Sequence, residues 1–148
     1  MSNTEITLFK IPMGAGKARP VENSRMGVVW LMKKFRTGII GVGGIANGKH
    51  MPALSKLDNV EIVAFCDIIK ERAEEGAKKY GAPGAKVYTD YRDLVARDDI
   101  DVVHVCTPNL YHAEMTVAAL EAGKHVICEK PMAIDYAGAK AMVEAAKK

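Results

Sequence analysis

Cysteine is scarce in this chain, and the few cysteines present do not form a recognisable pair. Cys66, Cys106 and Cys128 are odd in number and far apart, with no C-x-x-C pair and no histidine at zinc spacing. We therefore predict no disulfide framework and no metal site. The three cysteines are interpreted as small buried hydrophobic residues of a protein kept in a reducing compartment.

Long apolar runs, a basic N-terminal segment and an excess of one charge are also missing. No run approaches the roughly 18 apolar residues that span a bilayer, and residues 1–7 contain an acid but no basic residue, unlike a secretory signal. The formal charge of +3 arises from 21 basic and 18 acidic residues that are interleaved, so no continuous positive face is predicted. We expect a soluble cytoplasmic protein that contacts neither membrane nor nucleic acid.

The 148 residues suffice for one compact domain, and from Phe35 onward short β-rich apolar runs alternate with longer amphipathic stretches. This alternation predicts an α/β fold of the Rossmann type, a doubly wound parallel sheet of strand order 3-2-1-4-5. The second, fourth and fifth strands are nearly continuous apolar runs, typical of strands covered on both faces. We predict strands over residues 37–41, 61–66, 86–88, 102–106 and 125–128, and helices near residues 45–57, 69–80, 91–97, 110–122 and 136–147.

Residues at the predicted helix ends indicate how the helices begin and end. Gly81 and Gly123 follow the second and fourth helices, where a left-handed residue would cap the C-terminus. Asp90 and Asp135 precede the third and fifth helices, where their carboxylates would accept N-terminal N–H groups. Pro52 falls inside the first helix, and either interrupts it or opens a second short one.

Residues 1–31 do not share the alternation, although two fragments, residues 6–11 and 28–31, have strand character. We therefore divide the chain into an N-terminal extension over residues 1–31 and an α/β domain over residues 32–148. The extension is interpreted as a leader or tag, or else as an arm that pairs with a sheet edge.

The first predicted strand ends in the turn Gly41-Val42-Gly43-Gly44-Ile45-Ala46, which then opens a helix. In this context the pattern G-x-G-x-x-G/A predicts a dinucleotide site. Gly41 permits the tight turn, Gly43 lets the backbone approach the pyrophosphate, and Ala46 lets the helix pack on its strand. Gly44 and Ile45 lie at the helix N-terminus, which offers N–H donors to phosphate. The same turn also occurs in other α/β proteins and in S-adenosylmethionine sites.

Asp67 ends the second predicted strand about 20 to 30 residues after the first glycine, where a carboxylate binds the adenosine ribose hydroxyls. A carboxylate there also repels a 2′-phosphate, and Ile68 rather than an arginine follows it. The sequence therefore favours NAD over NADP, although Lys70 nearby weakens the preference. The alternative role of Asp67 is a helix N-cap.

The fourth predicted strand ends in Cys106, Thr107, Pro108 and Asn109. Ligands of doubly wound sheets bind beyond the carboxyl ends of the strands, and the first and fourth strands flank the crevice. These residues are therefore predicted to lie beside the nicotinamide half of a dinucleotide. A bare turn with Asn109 as an N-cap is the alternative.

Glu129-Lys130-Pro131 follows the fifth predicted strand and is expected to face the same crevice. A partly desolvated lysine beside a cationic nicotinamide would have its pKa lowered and would exchange protons with a substrate hydroxyl. A surface ion pair before a proline turn is the alternative. His50 and His112 lack metal-ligand spacing, and from the pattern alone we expect them to pack or cap.

Together these segments resemble the family of glucose-fructose oxidoreductase, inositol 2-dehydrogenase and MocA. The matching residues are Gly41-Val42-Gly43-Gly44-Ile45-Ala46 with His50-Met51-Pro52-Ala53-Leu54, Cys66-Asp67, Thr107-Pro108-Asn109 with His112, and Glu129-Lys130-Pro131. The resemblance covers Lys33 to the C-terminus. It implies hydride transfer between NAD(P) and a hydroxyl carbon of a sugar, inositol or related polyol, with Lys130 as the active-site lysine and Glu129 near the nicotinamide ribose. The expected cofactor contacts are Gly41, Gly43, Gly44, Ile45, Ala46, Asp67, Ile68, Cys106, Thr107, Pro108, Asn109, His112, Glu129 and Lys130.

The resemblance also implies a second α/β domain that supplies the substrate pocket, and the 148 residues do not include it. We therefore expect a truncated cofactor domain that binds the nucleotide without turnover. An open sheet edge would expose apolar surface, so we expect self-association into a homo-oligomer. A non-catalytic module that binds or senses a nucleotide is the alternative from another class.

Overall fold

A computed structural model of the chain describes residues 20–21, 29–30 and 34–148. Its main sheet contains five parallel strands, and two short strands form a separate antiparallel pair. The strands are β1 Pro20–Val21, β2 Val29–Trp30, β3 Phe35–Ile40, β4 Val60–Cys66, β5 Lys86–Tyr88, β6 Val102–Val105 and β7 His125–Cys128.

The order of the main sheet is β5-β4-β3-β6-β7. Counted within that sheet it is 3-2-1-4-5, which confirms the prediction of a Rossmann-type doubly wound sheet. From β3 the chain adds β4 and β5 on one side of β3, and it then returns to add β6 and β7 on the other side. The carboxyl ends of β3 and β6 therefore flank the point where the winding reverses, which is where such sheets bind ligands.

Five α-helices connect and flank the strands: α1 Met51–Leu54, α2 Lys70–Tyr80, α3 Tyr91–Val95, α4 His112–Glu121 and α5 Tyr136–Lys147. A π-helical turn, Ala46–His50, runs directly into α1, and the Met51 N–H donates to the Ala46 carbonyl. Pro52 has no N–H to donate, and its ring would crowd the preceding turn of a regular α-helix. Pro52 lies in the first turn of α1, where its missing N–H is not needed. The second predicted alternative, a short helix opened at Pro52, is therefore confirmed, and this helix continues directly from the π turn.

The sheet is covered on both faces, as the continuous apolar strands predicted. Ile39 and Ile40, successive residues of β3, point to opposite sides and enter different hydrophobic clusters. Ile39 belongs to the same cluster as Phe65 and Met51, whereas Ile40 belongs to a cluster with Met142 of α5. The three cysteines are buried and free, consistent with their interpretation as small hydrophobic residues.

Three of the four predicted helix caps are confirmed. The Asp90 carboxylate accepts from the Arg92 N–H, the Asp135 carboxylate accepts from the Gly138 N–H, and Gly123 has a φ of +74°. Gly81 is not left-handed, because its φ is −72° and its ψ 142°. A Cβ at Gly81 would lie 2.5 Å from the Ala77 carbonyl oxygen, so this position requires glycine for space rather than for a positive φ.

Little of the N-terminal extension falls within the described residues. Val29–Trp30, inside the predicted strand fragment over residues 28–31, is a strand and pairs with Pro20–Val21. The fragment over residues 6–11 lies outside the described residues, and the role of the extension stays a prediction. Within the part of the chain that the structure describes, no helix is long and apolar enough to cross a membrane.

Candidate functional site

The residues that follow four of the strands form one continuous edge of the sheet. Gly41, Asp67, Cys106 and Glu129 each donate a backbone N–H to the neighbouring strand, with N···O distances from 2.8 to 3.2 Å. The hydrogen-bonded ladder therefore extends one residue beyond β3, β4, β6 and β7. This brings together the segments that the sequence placed at the site, although up to 88 residues separate them along the chain.

A cleft of about 640 Å³ lies at this edge, and eight of the predicted site residues line it: Gly41, Gly43, Gly44, Asp67, Ile68, Cys106, Thr107 and Pro108. The cleft occupies the crevice between β3 and β6, as expected from the strand order. Six predicted residues do not line it: Ile45, Ala46, Asn109, His112, Glu129 and Lys130. The cleft therefore corresponds to one half of the predicted site.

The glycine turn differs from residue to residue in the space around it. Gly41 has a φ of +88°, and a Cβ there would lie 2.8 Å from backbone atoms of Cys106 and Thr107. At Gly43 and Gly44 a Cβ would meet nothing within 4 Å. Gly41 therefore serves the fold, whereas Gly43 and Gly44 border open space. The first N–H groups of a helical segment have no partner within the helix. That space, at the start of a helical segment, suits a pyrophosphate.

Asp67 is buried and its carboxylate is held by the backbone. Oδ2 accepts from the Val42 N–H at 2.8 Å, and Oδ1 accepts from the Ile69 N–H at 2.9 Å. The sequence suggested a ribose ligand or an N-cap, and in the structure Asp67 clamps the glycine turn to the end of β4. A carboxylate oxygen accepts more than one hydrogen bond, so the clamp leaves capacity for a ligand hydroxyl.

The far end of the cleft contains a polar cluster that the sequence motifs did not indicate. The Tyr91 hydroxyl donates to Glu114 Oε1 at 2.6 Å, and Arg92 Nη2 donates to the same oxygen at 3.2 Å. Burial, and then the hydrogen bond to Glu114, raises the pKa of Tyr91 to about 12. The lining residues that were not among the predicted site residues are Ile40, Cys66, Arg72, Thr89, Asp90, Tyr91, Arg92, Tyr111, Glu114 and Met115.

Arg72 of α2 is the one missed residue that lines two adjoining cavities. It borders the large cleft and also a smaller space of about 300 Å³ beside Gly43 and Gly44. A guanidinium there adds a cation next to the glycine turn. Arg72 lies in the first turn of α2, and a search of that turn for basic residues could have found it from the sequence.

Thr107 carries an unpaired polar atom at the crevice. Its Oγ1 is buried and has no hydrogen-bond partner among the described residues. Such a hydroxyl costs free energy unless something bonds to it. Together with the open space at Gly43, this orphaned oxygen fits a polar ligand lying across the ends of β3 and β6.

His112 braces the site from within the protein. It is 1% exposed, its Nδ1 lies 2.8 Å from the Pro131 carbonyl oxygen, and its Nε2 lies 2.8 Å from the Thr107 carbonyl oxygen. Two carbonyls use both ring nitrogens, so the ring has no free polar atom for a cofactor. His112 thus links the segment after β6 to the segment after β7, and its predicted contact with the cofactor stays a prediction.

Asn109 and the helix that follows it differ from the prediction. Asn109 begins a short 3-10 turn, Asn109–Tyr111, and the preceding position is held by Pro108 with no side-chain cap. The predicted N-cap at Asn109 is therefore wrong, because the residue lies inside the turn rather than before it. Its exposed side chain lies outside the cleft.

Lys130 is exposed, and its peptide bond to Pro131 is cis. The sequence predicted that this lysine is partly desolvated beside a cationic nicotinamide, and that expectation stays a prediction. No element among the described residues covers the surface beyond the end of β7 at this point. The side chain of Lys130 is therefore accessible to a ligand at the crevice.

A buried cluster of His50, His104 and Glu129 lies next to Lys130. His50 Nε2 donates to Glu129 Oε1 at 2.6 Å, and His50 Nδ1 lies 2.9 Å from His104 Nδ1. Burial is the largest single influence on Glu129 and raises its pKa. The hydrogen bonds from His50 and from the Lys130 backbone, together with the charges of these two residues, outweigh burial, so the pKa falls below its ordinary value. Burial, and then His50, lowers the pKa of His104 to about 3.

The low pKa of His104 predicts a pH-dependent stability. An unfolded histidine titrates near pH 6.5, so between about pH 6.5 and pH 3 the unfolded chain binds the proton that folded His104 refuses. The stabilisation that arises from neutral His104 is therefore fully present above about pH 6.5, and it is lost as the pH falls from there toward 3. We expect a loss of about 2 kcal/mol between pH 7 and pH 5, measured by urea denaturation.

The variant His104→Asn is the control, because an amide can still bond to His50 but does not titrate. We expect it to remove most of the loss between pH 7 and pH 5. An unchanged slope in the variant would show that other groups cause the pH dependence.

Comparison with known proteins gives a consistent assignment. The profile described as an oxidoreductase family with an NAD-binding Rossmann fold, covering glucose-fructose oxidoreductase, inositol 2-dehydrogenase and MocA, matches residues 35–148. Inositol 2-dehydrogenase from Salmonella typhimurium is 41% identical over 114 residues, which cover 77% of this chain and 34% of that protein. The chain spans about a third of the length of the curated relatives it matches.

Two solved structures share the fold of this chain. A 3-ketoreductase from Actinomadura kijaniata, in complex with NADP and TDP-benzene, is 34% identical with a TM-score of 0.72, covering 78% of this chain and 34% of that one. A dehydrogenase from Bordetella pertussis, in complex with NADH and UDP-GlcNAcA, is 30% identical with a TM-score of 0.71, covering 78% and 32%. The sheet order, the glycine turn and the profile match agree. This chain belongs to the glucose-fructose oxidoreductase, inositol 2-dehydrogenase and MocA family of oxidoreductases, and residues 35–148 form the NAD-binding Rossmann fold of that family.

Proposed function

We propose that this chain binds a nicotinamide dinucleotide across the carboxyl edge of its sheet. The observation that carries the proposal is the open space beside Gly43 and Gly44, at the start of a helical segment and continuous with the cleft. Backbone N–H groups there would bind the pyrophosphate. The adenosine half would lie in the cleft between Asp67 and Tyr91, and the nicotinamide half would lie toward Thr107 and Lys130.

Each predicted contact has a role in this arrangement. Ile45 and Ala46 belong to the helical segment that receives the phosphates, and Ile68, Cys106 and Pro108 form the apolar walls. Asn109 and His112 act through the turn after β6. Glu129 approaches the nicotinamide ribose, and Lys130 exchanges a proton with the substrate hydroxyl. The bound cofactor supplies the site that accepts or donates a hydride.

We further propose that NAD is preferred over NADP. Asp67 carries a negative charge at the end of β4, where the 2′-phosphate of NADP would lie, and Ile68 offers it no hydrogen bond. Arg72 opposes this preference, because its guanidinium would attract the extra phosphate. Relatives of this chain have been solved with NADP and with NADH. We propose that in this chain the balance between Asp67 and Arg72 decides the cofactor.

Titration of NADH and NADPH into the chain, followed by nicotinamide fluorescence, tests both proposals. We expect saturable binding of NADH and weaker binding of NADPH, because the carboxylate of Asp67 repels the second phosphate. A folded sample that binds neither cofactor at millimolar concentration would contradict the proposed function. Tighter binding of NADPH would overturn only the preference, and would make Arg72 the dominant group.

The reaction of the whole protein is proposed from its relatives. An inositol dehydrogenase and a glucoside dehydrogenase are among the proteins that this chain resembles. We propose that the full protein transfers hydride to or from a hydroxyl carbon of a sugar, inositol or related polyol. We also propose that the chain alone binds cofactor without turnover and self-associates, since Ile68, Leu110 and Tyr136 are apolar side chains more than 60% exposed.

A further inference from the structure

His50, His104 and Glu129 form a buried polar chain that lies outside the cleft. Their exposures are 9%, 4% and 8%. They come from the π-helical turn, from β6 and from the end of β7, and Glu129 lies 79 positions after His50 along the chain. Burying polar groups costs free energy unless they are hydrogen-bonded. Neither the nucleotide motif nor the cleft explains why three ionisable groups are buried together here.

The hydrogen bond between His50 and Glu129 fixes the place of one proton in this cluster. An ionised carboxylate only accepts, so His50 Nε2 must carry a proton and donate it to Glu129. If the His50 ring is neutral, its Nδ1 accepts and His104 Nδ1 donates. If the His50 ring is charged, these two roles exchange. In both states the hydrogen bond from His50 Nε2 to Glu129 persists, and His104 Nδ1 serves as donor in one state and as acceptor in the other.

Glu129 connects the imidazole of His50 to the backbone of Lys130, the proposed active-site lysine. Its Oε1 is held by His50, and its Oε2 accepts the backbone N–H of Lys130 at 3.1 Å. The thiols of Cys106 and Cys128 also lie near the carboxylate, and burial raises the pKa of both, so they remain neutral. Among the described residues, His50 and Lys130 are thus the groups that lower the pKa of Glu129.

We propose that His50 is a positioning residue: its Nε2–H holds the Glu129 carboxylate, and through it the Lys130 backbone, in the orientation that receives the nicotinamide half of the cofactor. The proposal rests on the proposed function. Without this bond the carboxylate is free to rotate away from the crevice and Lys130 loses its acceptor. His50 does not line the cleft and touches no cofactor itself.

Four variants test this role: His50→Ala, His50→Asn, His50→Gln and, as a control, His125→Gln on β7. The amide nitrogen of Gln reaches the position of His Nε2, whereas that of Asn is too short. We expect His50→Ala and His50→Asn to weaken NADH binding about tenfold, and His50→Gln to restore most of it. AMP, which carries only the adenosine half, should bind all variants within about twofold, because a local loss at Glu129 does not reach the other end of the cleft.

Nuclear magnetic resonance supplies the second readout. The Glu129 carboxyl, assigned with Glu129→Gln, should have a higher pKa in His50→Ala and His50→Asn, and the Lys130 amide should shift with it. In His50→Gln both should return toward the original values. A role in stability alone would change the unfolding midpoint without moving these signals selectively.

The outcomes separate the two proposals. Absence of NADH binding by the unmodified chain contradicts the proposed function, while the Glu129 and Lys130 signals still decide whether His50 holds them. Unchanged NADH affinity in His50→Ala, or His50→Gln as weak as His50→Asn, overturns the positioning role. Equal loss of AMP and NADH binding also overturns it, since the defect would then be general.

Discussion

Gly41→Ala is expected to lose both NADH binding and a large part of the folding stability. A left-handed backbone costs a residue with a Cβ roughly 1–2 kcal/mol. The Cβ would also lie 2.8 Å from the Cys106 carbonyl carbon and oxygen and from the Thr107 nitrogen, all of them backbone atoms that cannot rotate away. We expect a total loss of about 3 kcal/mol or more, measured by urea denaturation.

Gly43→Ala is the matched control for this prediction. Its Cβ would meet nothing within 4 Å, and its φ is not positive. We expect stability within about 0.5 kcal/mol of the unmodified chain, together with a loss of NADH affinity of tenfold or more, because the methyl group would occupy the space of the pyrophosphate. Full NADH affinity in Gly43→Ala would show that the phosphates do not lie on this turn. Normal stability in Gly41→Ala would show that the turn relaxes at little cost.

Asp67→Asn is expected to have the second largest effect. The carboxylate accepts the N–H groups of Val42 and Ile69 with its two oxygens. An amide has one oxygen, so its NH2 group would face one of these donors and leave it unpaired. We expect a loss of about 2–3 kcal/mol in the unfolding free energy. Asp58→Asn, at an exposed turn before β4, is the control and should change stability by less than about 0.5 kcal/mol.

Cofactor preference separates the two roles of Asp67. Removal of its charge removes the repulsion of a 2′-phosphate, so the ratio of NADPH to NADH affinity should rise in Asp67→Asn even though both affinities fall. This ratio is measured in the same fluorescence titrations. A stability loss with an unchanged ratio would make Asp67 a clamp of the glycine turn and nothing more.

The pKa of His104 and the clamp by Asp67 illustrate what a strand-end position does to an ionisable residue. Parallel sheets are covered on both faces, so polar groups near the strand ends are buried unless they find partners. Asp67 finds backbone N–H groups of the glycine turn, and His104 finds a second imidazole. Burial therefore lowers the pKa of His104, whereas two backbone N–H groups hold the Asp67 carboxylate in place.

Much of the site followed from the sequence because its signals are local. The turn from Gly41 to Ala46 sits between a strand and a helix, and the positive φ of Gly41 agrees with the tight turn expected there. Asp67 and Thr107 follow apolar runs, so their place at the carboxyl edge follows from the direction of parallel strands. Gly81 shows the limit of such reasoning, because glycine is needed there for a close approach that the sequence does not encode locally.

By itself the sequence determined the five strands, their order, the nucleotide turn and the segments at its edge, because hydrophobic periodicity and turn chemistry act over a few residues. Only the tertiary structure decided that Asp67 clamps the turn, that Tyr91 pairs with Glu114, and that His50 reaches Glu129. These contacts join side chains from different elements. They depend on strand register and on how the helices pack against the sheet, and no short segment of the sequence determines either of these features.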